Sequence, residues 1–205
     1  MAAIALLGLT ACAGRGAVEL SQTYAAPPKA LEATSVRPAA KPAATCLVRL
    51  AEVVDLRTDP RSMGVAYNRD IHSQDAAAWI RSGLQSLAPV PGVRFIDQDQ
   101  ADGSELVLKV ELIKAYVMTI TTQNAANVVI RIHYSQGPAA EPVYRGAVTR
   151  VDWANGDDEI QSALNQALTQ LLPKVQSDIR QHCLAVSRLA AARPSPAEPA
   201  VPPSQ

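Results

Sequence analysis

Apolar and polar residues alternate along five stretches of the chain, and this period of two predicts five β-strands. The alternation is clearest in ELVLKVELI, where Leu106 and every second residue after it are apolar, while Lys109 and Glu111 point the other way. One apolar and one polar face are typical of a sheet that is covered on one side only. The predicted strands span residues 46–56, 92–97, 105–113, 127–134 and 142–153.

Two further stretches repeat their apolar residues at the spacing of a helix. The first is Ser73–Ala88, with Ser73 as its N-cap and prolines directly after its end. The second begins at Asn155 or Asp157, where acidic residues suit a helix N-terminus, and Pro173 predicts a kink or a break within it. Its apolar stripe contains Ile160, Leu164, Leu168, Leu171, Val175 and Ile179.

The order of these elements predicts the fold class. Short connections favour antiparallel pairing of neighbouring strands. We therefore expect an α+β fold, a mostly antiparallel four- to five-stranded sheet with two helices packed on one face, formed by residues 46–189 as a single domain. Residues 12–45, rich in Pro and Ala, predict a tether, and residues 190–205 predict a disordered Pro-rich tail, because neither buries enough apolar surface to offset the entropy of ordering.

The first residues, MAAIALLGLTAC, form an apolar run that is too short to cross a bilayer as a helix. Residues 1–11 are typical of a signal peptide, although no Lys or Arg precedes the run. The segment Leu9–Cys12 resembles the lipobox of bacterial lipoproteins, which implies cleavage before Cys12 and lipid on its thiol. An ordinary signal peptide is the alternative. In that family an aspartate after the cysteine favours the inner membrane, so Ala13 implies the periplasmic side of the outer membrane.

Composition and charge exclude one class of partner. The 205 residues contain 19 Lys and Arg and 19 Asp and Glu, so the formal net charge is zero. A neutral chain without a basic block offers no electrostatic basis for binding nucleic acid. Aromatic residues make up only 4% of the chain, so Leu, Ile and Val must build the core.

The chain has three cysteines, and the lipobox assigns Cys12 to lipid. An oxidising periplasm permits a disulfide between the remaining two, Cys46 and Cys183. Cys46 has the strand parity of Val48, and Cys183 lies four residues after Ile179 on the stripe of the last helix. Both thiols should therefore face the interface between sheet and helix. Two separate buried thiols are the alternative.

Candidate binding residues are concentrated directly after the first strand. Asp55, Arg57, Asp59 and Arg61 alternate in charge there, and they could bind a partner or a small cation, or instead tie down a loop by ion pairs. The loop 55–70 that contains them is one candidate binding surface, since loops carry function more often than buried strands do. The polar face of the sheet is the other, with Lys109, Glu111, Arg131 and Arg150.

Catalytic signals are absent from the sequence. His72, His133 and His182 lack the spacing of metal ligands, and neither a phosphate-binding loop nor a nucleophile elbow occurs. We therefore expect no catalytic residue, no metal, no cofactor and no enzymatic activity.

Four segments in order carry a resemblance to a known family. They are VVDLRTDPRSMG, WIRSGLQSL, ADGSELVLKVELI and ALNQALTQLL, and the resemblance covers about Leu47 to Ile179. This pattern resembles the YajG-type family of small bacterial lipoproteins, and it is similar in plan to the auxiliary lipoproteins of ABC-type transport systems. The first resemblance implies a membrane-anchored, non-enzymatic lipoprotein that binds an envelope partner. The second implies an auxiliary subunit of lipid or solvent transport. The oligomeric state stays open.

Overall fold

Eight strands, two α-helices and a short 3-10 helix (Gln98–Gln100) make up the part of the chain that the computed structural model describes, namely residues 16–20, 23–27, 46–87, 93–101, 103–136, 141–151 and 156–192. Cys12 and the predicted signal peptide, Trp153, Asn155 and the tail from residue 193 lie outside these residues. In chain order the elements are β1 (Val18–Glu19), β2 (Cys46–Asp55), β3 (Ser62–Ala66), β4 (Arg69–His72), α1 (Ala76–Gln85), β5 (Val93–Ile96), β6 (Leu106–Ile120), β7 (Gln123–Tyr134), β8 (Val143–Val151) and α2 (Asp157–Ala192).

The sheet is mixed, so the prediction of a mostly antiparallel four- to five-stranded sheet is wrong. The strands β6, β7 and β8 do form an antiparallel meander. In contrast, β2 pairs in parallel with both β5 and β6. The physical reason is the helix between β2 and β5, because a helical crossover returns the chain in the direction of the preceding strand. Among the strands predicted from sequence, short connections therefore determine pairing only for the last three.

The region predicted as a loop after the first strand contains two further strands. Here β3 and β4 form an antiparallel hairpin, and β1 pairs in parallel with β4. The hairpin turn consists of Tyr67 and Asn68, both with positive φ (53° and 58°). Such a pair of angles is typical of two-residue hairpin turns, whose twist matches that of the flanking strands. The sequence predicts a loop here rather than a hairpin because a tyrosine rarely occupies this turn position.

The long strand β6 borders two strands on one edge. Its first half pairs with β2, and its second half pairs with β3 at Val117 and Met118. A bulge lies between the two halves, where the register with β7 shifts between Leu112 and Lys114. The extra residue reverses the alternation, so the buried residues are even-numbered up to Leu112 and odd-numbered from Ala115.

Both helices pack on one face of the sheet. The apolar stripe of α2 is buried against β6, β7 and β8. The helix approaches β8 closely at Gly146, where an added Cβ would lie 1.8 Å from the carbonyl oxygen of Ala167. The helix α1 begins later than predicted, with Asp75 rather than Ser73 as its N-cap, and α2 runs without a break across Pro173.

The folded unit also includes residues from the predicted tether. Val18, Leu20 and Tyr24 are all buried in the core. The hydroxyl of Tyr24 lies 2.5 Å from that of Thr169 on α2, and burial raises the pKa of this tyrosine above its ordinary value. The structure therefore extends the domain N-terminally beyond residue 46, at least over residues 16–20 and 23–27.

Candidate functional site

Arg57 and Asp55 form a buried ion pair that holds the chain between β2 and β3. The Arg57 side chain is 5% exposed, and its Nη2 lies 2.7 Å from Oδ2 of Asp55. The same guanidinium donates to the carbonyl oxygens of Pro60 and Ser62 and contacts the Met63 sulfur. Its hydrogen bonds are thus directed into the protein, which makes this pair a structural anchor of the segment rather than a binding surface.

Asp59 and Arg61 do not complete a site with that pair. The Asp59 carboxylate accepts hydrogen bonds from the backbone N–H groups of Arg61 and Ser62, which is the local pattern of a turn. Arg61 itself is exposed. The four residues predicted as a group therefore divide into a buried pair, a turn cap and an exposed cation.

A disulfide joins Cys46 and Cys183, whose Cα atoms are 5.7 Å apart. It connects the first residue of β2 to α2 across the interface of sheet and helix, as the two periodicities predict. With both sulfurs in a bridge, neither cysteine is available as a thiol nucleophile or metal ligand.

The sheet face opposite the two helices, here called the open face, carries a group of four charged side chains and a histidine. Lys109 Nζ lies 3.2 Å from Glu52 on β2, and Arg131 Nη1 lies 2.9 Å from Glu111. His133 approaches Glu111 through Nε2 at 3.1 Å. These five residues, Glu52, Lys109, Glu111, Arg131 and His133, are called the charged half of the open face.

Neighbouring contacts hold the charged half in place. His133 is also 2.9 Å from Glu141 through its Nδ1 atom. Asn127 lies on the same face, and with its amide oxygen oriented toward Arg145 it accepts hydrogen bonds from that guanidinium.

Arg150, which the sequence assigned to this surface, lies instead on the helix side, where its Nη1 donates to the Ser162 hydroxyl on α2. The even parity of Arg150 along β8 explains this placement.

The other end of the open face is apolar. Val65, Met118, Ile120 and Val151 are 49%, 44%, 55% and 45% exposed. Val65 pairs directly with Met118 across β3 and β6, so their side chains lie together. These four residues are called the apolar end. Sequence alternation alone did not reveal them, because the bulge after Leu112 moves this set of residues onto the outer face.

A polar groove of about 350 Å³ lies beside β2, where β5 ends. Its two arginines already have partners: Arg49 pairs with Glu105 at 3.0 Å, and Arg81 donates to the Leu50 carbonyl oxygen. Hydrogen bonds from its own backbone N–H, from Arg49 and from the Gly103 N–H lower the pKa of the Glu105 carboxyl. The groove is therefore close to charge balance, and we regard it as secondary to the open face.

A buried chain of hydroxyl groups connects the sheet to α2. The hydroxyls of Tyr134 and Tyr144 are 2.8 Å apart, and Tyr144 donates to Asp178 at 2.8 Å. The His182 ring stacks on Tyr134, with 4.0 Å between ring centroids. Burial raises the pKa of Tyr134 to about 12 and also raises the pKa of Tyr144. These hydroxyls stay protonated at neutral pH, and their contacts lock α2 onto β7 and β8.

Two classes of site are not found among the described residues. No group of three or more His, Cys, Asp or Glu side chains there is arranged to hold a metal ion. Within the same residues, neither α1 nor α2 combines the length and the apolar character that crossing a bilayer requires.

Comparisons with known proteins show similarity of fold only. No protein-family model matches the chain, and no curated protein sequence matches it either. A solved structure from Xanthomonas campestris, of the DUF330 family, is 12% identical with a TM-score of 0.46 and covers 77% of this chain and 94% of that one. A hypothetical protein of Chlamydia trachomatis is 10% identical with a TM-score of 0.43, over 69% and 99% of the two chains.

A third similar structure is described as a candidate lipoprotein from Caulobacter crescentus. It is 12% identical with a TM-score of 0.34, and it covers 65% of this chain and 93% of that one. These values assign the chain to no family. The YajG-type resemblance therefore stays a prediction from sequence.

Proposed function

We propose that this protein is a lipid-anchored, non-enzymatic lipoprotein of the bacterial cell envelope, which binds a partner protein or another envelope component. Two independent features support the proposal. The LTAC segment at Leu9–Cys12 supports the anchor, and the open face supports the binding role. We place the anchor on the periplasmic side of the outer membrane because Ala13, rather than an aspartate, follows the cysteine.

The observation that carries the binding role is the charged half of the open face. Among the described residues both helices lie on the opposite side of the sheet and leave this surface open to a partner. Its charges alternate in sign and are held by neighbours, as in the pairs Lys109–Glu52 and Arg131–Glu111. Side chains that are already ordered lose less entropy on binding, which favours recognition of a complementary polar surface.

The anchor is tested on the mature protein purified from membranes. We expect the N-terminal peptide to begin at Cys12 and to carry the mass of attached acyl chains. The methylene groups of these chains, buried in the bilayer, make the membrane anchor stable. Cys12→Ser should release the chain from the membrane fraction. Ala13→Asp should move the lipidated chain to the inner membrane on density separation. An unmodified Cys12, or an uncleaved leader in the cytosol, would contradict the anchor.

The binding role is tested by chemical cross-linking of whole cells, followed by purification of this protein and identification of what is attached. Lys109→Glu and Arg131→Glu, made separately, should each remove the cross-linked partner, because each reverses one charge on the charged half. Lys174→Glu is the matched control, since Lys174 is exposed on α2 and away from the open face.

The identity of the cross-linked species also separates the two functions that the sequence suggests. An envelope protein without transport partners supports the leading proposal, and a permease or ATPase supports the auxiliary role in transport. Recovery of the same partner from the Lys109→Glu, Arg131→Glu and Lys174→Glu variants would refute the assignment of the charged half as the binding surface.

A further inference from the structure

Three of the four residues of the apolar end, Val65, Met118 and Ile120, are direct neighbours, and Val151 lies beyond the exposed Gln123 on β7. Met118 and Ile120 lie two residues apart on β6 and therefore on the same side of the sheet. Val65 flanks Met118 on β3, and Val151 lies across β7 from Ile120, since both pair with Gln123. Aliphatic side chains grouped on one surface indicate an interaction site rather than chance exposure.

Two of the residues next to the apolar end have the chemistry of a membrane–water interface, while the exposed Asp70 beside Val65 and Gln123 beside Ile120 are polar. Tyr116 is the next residue inward on the same face of β6, and Lys114 Nζ lies 4.8 Å from the centre of its ring. Tyrosines are enriched at the level of lipid headgroups, and lysines beside apolar surface extend their ammonium groups toward the polar layer. Aliphatic residues bordered by a tyrosine and a lysine thus match the order of layers at a bilayer surface.

The chain enters the sheet close to this surface. Val18 pairs with Ile71 on β4, and β1 runs parallel to β4, so the residues before Val18 lie toward Asp70. Asp70 pairs with Val65, and Val65 pairs with Met118. The entering chain is therefore directed toward the end of the sheet that carries the apolar end.

The distance from the lipid to the fold is short. Cys12 precedes Val18 by six residues, which span about 20 Å at most when fully extended. Three strand spacings separate β1 from β6, a distance of about 14 Å. A lipid on Cys12 thus holds the bilayer within reach of the edge formed by β1, β4 and β3, which is the edge next to Val65.

We propose that the apolar end, with Tyr116 and Lys114, rests against the lipid bilayer in which the acyl chains of Cys12 are inserted. This contact between the apolar end and the bilayer, called the seating below, depends on the lipid anchor proposed above. It orients the domain so that the charged half of the open face lies farther from the membrane, along β6, where a partner can reach it.

The test uses the full lipidated chain in vesicles of phosphatidylethanolamine with a minor fraction of phosphatidylglycerol. Met118→Cys places a thiol for an environment-sensitive fluorophore on the apolar end, and the other three cysteines are blocked by the disulfide and the lipid. Val143→Cys is the matched control, because Val143 is 49% exposed on the same face of the sheet at its opposite end. Nitroxide groups on the lipid acyl chains then quench the fluorophore only where it enters the bilayer.

We expect quenching at position 118 to exceed that at position 143 by about twofold or more, since an interfacial surface sinks ~5–10 Å into the headgroup region. Adding Ile120→Glu to Met118→Cys should abolish the quenching while the chain still floats with the vesicles. Equal quenching at the two positions would overturn the seating. Protection of position 118 from aqueous iodide without lipid quenching would also overturn it, because a protein then covers the apolar end.

The experiment distinguishes failure of the lipid anchor from failure of the seating. A chain whose Cys12 is unmodified by mass spectrometry and that does not float with vesicles overturns the anchor, and the seating with it. A lipidated chain that floats normally but shows no quenching at position 118 overturns the seating alone.

Discussion

The guanidinium of Arg57 contacts Asp55, Pro60, Ser62 and Met63, and these contacts decide what the Asp55–Arg61 charges do. The sequence places four alternating charges after a strand but does not say which of them point inward. That outcome depends on the return of the chain through β3, which supplies the carbonyl groups that Arg57 binds. A charge pattern near a strand end therefore predicts ion pairing better than it predicts a binding surface.

Arg57→Ala should lower the free energy of unfolding by about 3–5 kcal/mol, because it leaves the carboxylate of Asp55 without its buried partner. Arg61→Ala is the control and should change stability by less than about 0.5 kcal/mol, since its side chain is exposed. Urea denaturation of both variants measures the difference. Equal effects from the two substitutions would show that the buried pair is not an anchor.

The buried tyrosines predict a loss of stability at alkaline pH. Burial raises the pKa of Tyr134 from 10.0 to about 12 and raises that of Tyr144, so the unfolded chain releases these protons first as pH rises. The unfolded state then binds fewer protons than the native state, and stability is complete below about pH 10 and falls as pH rises toward 12.

Denaturation at about pH 9 and about pH 11 measures this loss. Tyr134→Phe should reduce the drop between the two pH values, because it removes one of the three tyrosines, Tyr24, Tyr134 and Tyr144, whose pKa is raised by burial. Tyr116→Phe, on the open face, should retain the drop. An equal drop in both variants would contradict the assignment of the alkaline loss to the buried tyrosines.

At the scale of elements, long regular patterns on one face of a helix or strand gave correct predictions of that element. Short strands and a pairing that depends on a crossover connection were missed. The stripe of α2 and the alternation of β7 are long, so both elements are found where the sequence predicts them, although β7 begins at Gln123 rather than residue 127 and α2 is not broken at Pro173. The hairpin of β3 and β4 was missed because its strands are short and its turn contains Tyr67. The parallel pairing of β2 was missed because it depends on the crossover through α1 rather than on the residues of β2.

Gly146→Ala should destabilise the fold by roughly 1–3 kcal/mol, because the new methyl group meets the backbone of α2 and forces the helix away from β8. Thermal unfolding measures the effect. Thr149→Ala on the exposed side of the same strand is the control and should leave the midpoint nearly unchanged. A Gly146→Ala variant as stable as that control would mean that α2 adjusts its position freely.

At the scale of the whole molecule, the Cys46–Cys183 disulfide links positions that are 137 residues apart in sequence. In the chain-entropy description, closing a loop of this length stabilises the native state by about 5 kcal/mol. The double variant Cys46→Ser, Cys183→Ser should lose stability of that order. Adding a thiol reductant should lower the unfolding midpoint of the parent protein and leave that of the double variant unchanged; a reductant without effect on the parent would contradict this role.

The candidate site was predicted in part at the same scale. Alternation along β6 places Lys109 and Glu111 on the polar face, and the structure keeps them there. The apolar end could not be read from the sequence, because its position depends on the bulge after Leu112 and on the pairing of β3 beside β6. Both are properties of the assembled sheet rather than of any one segment.

The two-residue strand β1 also determines how far the domain can travel from its membrane. While β1, Leu20 and Tyr24 stay in place, the proposed tether from Cys12 to Val18 spans about 20 Å. Were β1 and the residues after it, including Leu20 and Tyr24, to detach, the tether would lengthen to the 34 residues that separate Cys12 from Cys46, or about 110 Å. The contacts of β1, Leu20 and Tyr24 thus set how far the domain can move from the membrane.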